Sequence, residues 1–93
     1  MRRIERRLLR ITDELERLRR EEQLVENELN MHRHLADDAV RDAAVYEGLD
    51  RVEARDALGD VRRQEHALNG TRRAIARAES KRDALLRRLD PSR

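Results

Sequence analysis

Apolar residues recur in alternating steps of four and three from Ile4 to Tyr46, and this heptad repeat is the feature that most constrains the fold. Eleven of the thirteen positions on the repeat are apolar, and the two exceptions are Glu22 and His32. Such a repeat places the side chains along one stripe of an α-helix, which is buried when a partner helix packs against it. The sequence therefore predicts a first helix over residues 3–46 with a coiled-coil seam. The seam consists of Ile4, Leu8, Ile11, Leu15, Leu18, Glu22, Val25, Leu29, His32, Ala36, Ala39, Ala43 and Tyr46.

The chain carries signals for a helix end and a helix start close to its centre. Gly48 suits the left-handed backbone conformation found just past a helix C-terminus. Asp50 followed by Glu53 resembles a capping box in which Asp takes the place of Ser or Thr. Together these residues predict a hairpin turn at about 47–50, between two arms of nearly equal length.

A second, weaker seam predicts a second helix over about 51–89, which ends before Pro91 because the residue preceding a proline disfavours helical geometry. Its only charged member is Arg82. Asn69–Gly70–Thr71 contains residue types that end and begin helices, so a kink at 69–71 is left open. The seam consists of Ala54, Ala57, Val61, Gln64, Leu68, Thr71, Ile75, Ala78, Arg82, Leu85 and Leu89.

Two seams joined by a short turn predict an all-α fold, a long antiparallel two-helix coiled-coil hairpin. With the turn at the centre of the chain, the numbers of facing residues sum to roughly 97 in this geometry. Glu22 is then expected near Arg73 and Arg77, and His32 near Glu65. The two polar members of the first seam would thus find polar partners on the second helix.

The composition fits long helices better than a globule. Charged residues make up 45% and aromatic residues 1% of the chain, so there are too few large side chains to fill a wide core. Ninety-three residues form one domain at most, spanning 1–93. Disulfides and thiolate metal sites need cysteine, which is absent. No apolar run is long enough for a signal peptide or a membrane span, so we expect a cytoplasmic protein without membrane association.

Charge is sorted along the chain in three blocks. Residues 1–20 carry 8 Arg against 4 acidic residues, residues 21–60 carry 12 acidic residues against 4 Arg, and residues 61–93 carry 10 Lys or Arg against 4 acidic residues. The net charges are +4, −8 and +6, so a hairpin would have an acidic tip and a basic base. Like charges at this density are tolerated when they are solvated or neutralised by an anionic partner. The residues predicted to form the basic base are Arg6, Arg7, Arg10, Arg87 and Arg88.

No residue pattern in the sequence predicts catalysis. A Ser/His/Asp arrangement and a Gly-rich phosphate loop are both absent from it, so we expect no enzyme activity and no cofactor. His32–Arg33–His34 resembles a metal-binding pair, but residues two apart do not share a helix face, and we predict no metal site. The acidic tip is open to three interpretations: a solvated helix face with capping residues, a surface for a basic partner, and, least favoured, a site for a hard cation such as Mg²⁺.

A second apolar line runs beside the seam of the first helix. A lone two-helix hairpin would leave it exposed, and an exposed apolar patch usually marks another packing surface. Two acidic residues of the tip lie on the same stretch, one helical turn apart. We predict that this region binds a partner, either a second copy in a four-helix bundle or a different, unidentified protein. The predicted partner-binding residues are Leu24, Met31, Leu35, Asp38, Asp42 and Val45.

An antiparallel homodimer would use both charged ends, because the basic base of one hairpin would lie on the acidic tip of the other. Opposed charges chiefly set orientation and association rate, whereas apolar burial supplies affinity. The leading hypothesis is therefore a non-enzymatic coiled-coil module for protein–protein interaction or regulation. It would act through the acidic, partly apolar tip half, with a second copy of itself as the favoured partner.

The stretch Asp38–Ala–Val–Arg–Asp42–Ala–Ala–Val–Tyr46 places two acidic residues and a tyrosine near the tip of the predicted hairpin. Together with the acidic tip and basic base, it resembles the coiled-coil domain of bacterial Gre-type transcript-cleavage factors and, more loosely, that of DksA-type regulators. The resemblance covers roughly residues 20–60. It implies an alternative function: a transcription regulator that binds RNA polymerase and brings Asp38 and Asp42 near the catalytic Mg²⁺.

A third hypothesis is a structural or nucleic-acid-associated protein that uses its Arg-rich base. Pairs of adjacent arginines could bind phosphates regardless of base sequence. The chain offers no stacking platform for bases, however, because it contains no Phe or Trp and Tyr46 lies at the acidic end. The acidic residues interleaved along both arms also weaken the positive field, so nucleic acid is the less favoured partner.

Overall fold

The computed structural model describes residues 2–45 and 49–89, apart from the side chains of the first two residues of the second range. Within these ranges the chain forms two long α-helices and no strand: α1, Arg3–Val45, and α2, Leu49–Leu89. The all-α helical hairpin predicted from the two seams is confirmed. The predicted turn falls partly on residues 46–48, which lie outside the described residues.

Helix α2 begins at Leu49, two residues earlier than predicted. Asp50 therefore lies inside the helix and is not its N-cap. The helix also runs without a break through Asn69–Gly70–Thr71. Gly in a helix interior costs about 1 kcal/mol relative to Ala, and Asn costs somewhat less. Burial of the seam residues Leu68 and Thr71, which flank this stretch, offsets the cost.

Burial follows the two predicted seams. Every described seam residue of α1 is buried or half-buried, and Glu26 is the only other residue of α1 that is not exposed. Among the described side chains of α2, every seam residue is buried or half-buried except Leu89 in the last turn, which is 40% exposed. The buried residues, among those that the structure describes, are Leu15, Leu18, Leu29, Ala36, Ala54, Leu68, Thr71, Ile75, Ala78 and Leu85.

Contacts divide the chain into two compact units. Unit 1 comprises residues 1–22 and 70–93, and unit 2 comprises residues 23–69. Fully burying a Leu or Ile side chain contributes about 1.5–3 kcal/mol, so the apolar cluster between the helices supplies much of the stability of unit 1. This cluster consists of Leu15, Leu18, Ile75 and Ala78, with Ile11 and Ala74 packed against it.

Glu22, a polar member of the first seam, has a partner on α2 within unit 1. Arg72 Nε donates a hydrogen bond of 3.1 Å to Glu22 Oε2. The prediction that Arg73 and Arg77 would be the partners of Glu22 is therefore wrong. Arg72 directly follows the buried seam residue Thr71, so its side chain flanks the seam, whereas the other two arginines lie further round the helix.

Unit 2 has a core of smaller side chains. Leu29 and Leu68 are its large buried residues, and Ala36 and Ala54 are buried with them. Small side chains bury little apolar area, so each contact along this unit contributes less than a Leu–Ile contact in unit 1. His32 is half-buried at its seam position, and its expected proximity to Glu65 stays a prediction.

Candidate functional site

The heptad register separates each helix into faces. We label its positions a to g, with the seam residues at a and d, so that e and g flank the seam on its two sides. In an antiparallel pair, the e residues of both helices lie along one edge and the g residues along the other. Arg19 and Glu79 are both e residues, and Arg19 Nη2 lies 3.4 Å from Glu79 Oε2. This ion pair identifies the e edge of unit 1.

The opposite edge of unit 1 carries an open groove of about 310 Å³. The seam residue Ile11 contributes to its lining, together with Arg7, Glu14 and Lys81 at g and Arg10 at c. The g residues of α1 and α2 therefore share one edge, and the c residues continue it outward. We call the g and c positions the gc face, and the e and b positions the eb face.

All six predicted partner-binding residues lie on the gc face of α1 in unit 2. They follow one another in steps of seven, four and three, the spacing that keeps side chains on one side of a helix. All six are exposed, and the four apolar side chains are 52–74% exposed. The c positions hold Leu24, Met31, Asp38 and Val45, and the g positions hold Leu35 and Asp42.

Helix α2 contributes residues to this face, and these residues were not predicted from the sequence. Its g and c positions in unit 2 are mainly acidic; the seam of α2 gives their heptad letters from the sequence, whereas the edge that they share with α1 comes from the packing of the helices. The whole gc face of unit 2 holds six acidic residues against the single Arg63, a net charge of −5. The acidic residues are Glu28, Asp38, Asp42, Glu53, Asp56 and Asp60.

The eb face of unit 2 differs in both charge and apolar content. It carries three acidic residues, Glu26, Asp37 and Glu65, against four arginines, a net charge of +1. Its large exposed apolar residues are Val40 and Leu58, which both occupy e positions. The negative charge of unit 2 is thus concentrated on the gc face, alongside its longest exposed apolar line.

Two carboxylates of the gc face form ion pairs within their own helices. Arg41 Nη1 lies 3.5 Å from Asp38 Oδ1 on α1, and Arg63 donates a hydrogen bond to Asp60 on α2. Three of these four side chains are 70–76% exposed and that of Asp60 is 41% exposed, and surface pairs of this kind contribute about 0–1 kcal/mol. Asp38 and Asp60 can therefore exchange these partners for those of another molecule at little cost.

The five residues predicted to form a basic base are all exposed but do not share one face. Arg7, Arg10 and Arg88 lie on the gc face of unit 1, whereas Arg6 and Arg87 occupy f positions and point away from both edges. Arg87 and Arg88 also lie in the last turn of α2, where positive charge is stabilised by the helix dipole. The predicted set therefore mixes surface and helix-end roles.

No group of three His, Asp or Glu side chains in the described part of the chain lies close enough to hold a metal ion. Neither α1 nor α2, over their described lengths, contains a segment long and apolar enough to cross a membrane. No protein-family model, curated protein or solved structure matches the chain. Proposals for its function therefore rest on the charge, exposure and packing of its own residues.

Proposed function

We propose that this chain is a non-catalytic helical-hairpin module for protein–protein interaction, and that its working surface is the gc face of unit 2. The observation that carries the proposal is the exposed line of Leu24, Met31, Leu35 and Val45 on one side of α1, interleaved with carboxylates. Water-exposed leucine and methionine at heptad spacing are unfavourable unless a further surface covers them. Coiled-coil seams are also a common means of recognising a partner helix.

The chemistry of the face defines the partner that it fits. Its apolar residues at c and g would accept a helix with apolar side chains three, four and seven residues apart. Its net charge of −5 favours Arg or Lys at the flanks of that helix, because opposite charges speed association and set orientation. The partner is therefore an amphipathic, basic helical surface, and the module acts by holding it.

A pull-down with quantitative mass spectrometry from cells that produce the protein tests this function. The variant Met31→Lys with Leu35→Lys places two charges in the apolar line, so it should lose any partner that the wild type retains. The control Val52→Lys with Leu58→Lys makes the same change on f and e positions of the same unit, at side chains of similar exposure. Equal retention by all three proteins would refute the assignment of the face.

The polymerase-regulator alternative competes for the same carboxylates. It requires Asp38 and Asp42 to reach a catalytic Mg²⁺ from the tip of the coil, whereas both lie on the helix α1, which continues to Val45. Arg41 also lies beside Asp38. These contacts favour a binding face over a metal-directed tip. Co-purification of core RNA polymerase, abolished by Asp38→Asn with Asp42→Asn, would reverse this preference.

The nucleic-acid alternative depends on unit 1. Unit 1 carries the positive charge that this alternative requires, but Arg19 and Arg72 form ion pairs with Glu79 and Glu22. The sequence also contains no Phe or Trp on which bases could stack. A mobility-shift assay at physiological salt tests it, and a specific shift would support a nucleic-acid role for unit 1.

A further inference from the structure

The two units carry opposite charges of equal size on their gc faces. In unit 1 the described residues of this face include seven Arg or Lys against Glu14 and Glu21, a net charge of +5, compared with −5 in unit 2. The eb faces carry only −1 and +1. In each unit, the charge sorting seen along the sequence is therefore concentrated at the g and c positions. The basic residues are Arg3, Arg7, Arg10, Arg17, Arg77, Lys81 and Arg88.

Ion pairs within the chain engage three of the four charged residues on the e edge of unit 1. The two ion pairs that join α1 to α2 in the described residues both use an e position of α2: Arg19 pairs with Glu79, and Arg72 pairs with Glu22. The gc face of the same unit instead has its open groove, where three cationic side chains surround a single carboxylate. Most charges of the e edge are thus paired internally, whereas the gc face of unit 1 keeps an excess of five positive charges that another molecule can neutralise.

We propose that this other molecule is a second copy of the chain, with the gc face of unit 2 bound to the gc face of unit 1 of its partner. The inference rests on the proposed function, because it names the partner of the same face. Each copy carries both faces, so two copies can exchange the contact reciprocally and close a two-fold dimer. The gc face of unit 1 supplies the basic helical surface that the acidic face requires, and its apolar contacts come from Ala74, Ala84 and the alkyl stems of its arginines rather than from large apolar side chains.

The groove of unit 1 is the receiving site for the carboxylates. Arg7, Arg10 and Lys81 line it around Glu14, so carboxylates such as Asp38 and Asp42 of the partner would find an excess of positive charge there. The exposed Leu24, Met31 and Leu35 of one copy would cover the alkyl stems of the groove arginines of the other copy, because such stems pack well against apolar surface. The charges would set the antiparallel orientation, and the apolar line would supply the affinity.

Reciprocal charge reversal tests the dimer. The first variant, Asp38→Arg with Asp42→Arg, changes the net charge of the gc face of unit 2 from −5 to −1, and the second, Arg7→Glu with Arg10→Glu, changes that of unit 1 from +5 to +1. Each variant alone should self-associate about tenfold or more weakly than the wild type in sedimentation equilibrium. An equimolar mixture of the two should recover a dimer, because one contact then joins the unaltered faces of +5 and −5, and the other joins the introduced arginines to the introduced glutamates. Circular dichroism checks that both variants remain helical.

Matched controls separate the face from net charge. Asp37→Arg with Glu65→Arg changes the charge by the same amount on the eb face of unit 2, and Arg20→Glu with Arg73→Glu does so at f positions of unit 1. Both controls should self-associate as the wild type does, and mixing them should change nothing. Raising salt from about 0.1 M to about 1 M, which shortens the screening length from about 10 Å to about 3 Å, should weaken the wild-type dimer.

The outcomes distinguish this inference from the function on which it rests. A wild type that sediments as a single copy at low salt, or a mixture that stays dissociated, overturns the self-association. In that case a partner lost by Met31→Lys with Leu35→Lys in the pull-down would still uphold the proposed function. Binding of nucleic acid by the single copy, lost in Arg7→Glu with Arg10→Glu, would assign the basic gc face to a different ligand and would also overturn the inference.

Discussion

Alanine in place of either glycine of α2 should stabilise the protein. Gly59 and Gly70 both lie in the interior of a helix, where glycine has more backbone freedom to lose on folding than any other residue. Neither has the left-handed backbone conformation that would exclude alanine. A Cβ at Gly59 would lie 3.6 Å from Arg63 Nη1, and one at Gly70 would lie 3.9 Å from Arg73 Nη2. These are ordinary contacts with the ends of flexible side chains.

The expected gain follows from the absence of a steric penalty. Gly→Ala at a compatible helical position stabilises by about 0.4–1 kcal/mol. The two sites are about 16 Å apart along the helix at about 1.5 Å per residue, so their effects should add to about 1–2 kcal/mol. For a chain of this size, 1 kcal/mol corresponds to a rise of about 4–8 °C in Tm.

Urea and thermal unfolding followed by circular dichroism measure the gain, with all proteins at one concentration because self-association would itself raise the Tm. Ala44→Gly, at an exposed position of α1, is the control and should lose about 1 kcal/mol. A loss of stability in Gly59→Ala or Gly70→Ala would refute the reasoning. It would mean that a close approach of another surface, rather than helix propensity, determines the residue at that site.

Three further predictions concern the packing of unit 1 and are tested by urea unfolding. Leu15→Ala should lower the free energy of unfolding by about 2–4 kcal/mol, since this side chain is 2% exposed. Leu9→Ala, at a side chain that is 53% exposed, should lower it by under about 1 kcal/mol. Similar losses in the two variants would contradict the assignment of the seam. A double-mutant cycle on Glu22 and Arg72, whose side chains are 30% and 51% exposed, should give a coupling of about 0.2–1 kcal/mol that disappears in high salt, and a salt-independent coupling would argue against an exposed pair. Arg82→Leu, at a half-buried seam position, should stabilise by roughly 1 kcal/mol, because apolar burial gains more than the exposed ion pairs with Glu79 and Asp83 lose. A loss of stability would show that these ion pairs matter more than apolar packing.

Local signals in the sequence predicted the secondary structure well except where helix ends are concerned. The heptad repeat identified every described seam residue of α1, because burial along a coiled coil depends on periodicity that is visible in one chain. The prediction that Asp50 caps α2 was wrong. Asp is favoured both as an N-cap and within the first turn of a helix, so its presence does not distinguish the two positions. The possible break at Asn69–Gly70–Thr71 was resolved by burial of Leu68 and Thr71, a tertiary effect that overrides weak propensity.

The candidate surface was only half visible in the sequence. The apolar line of Leu24, Met31, Leu35 and Val45 follows from spacing within α1 alone. Which residues of α2 lie beside it depends on which edge of one helix meets which edge of the other. The ion pair between Arg19 and Glu79 and the groove at the opposite edge supplied that information.

By itself, the sequence determined that the chain forms two helices, that their a and d positions are buried, and that its charges lie in three blocks. Periodicity and composition are properties of a single chain, so they are visible without knowing how the helices pack. Only the tertiary structure showed which edges of the two helices meet. That packing pairs charges along the e edge and leaves net charges of +5 in unit 1 and −5 in unit 2 on the gc faces. Pairing across an interface depends on register and orientation, and these exist only once the helices have packed.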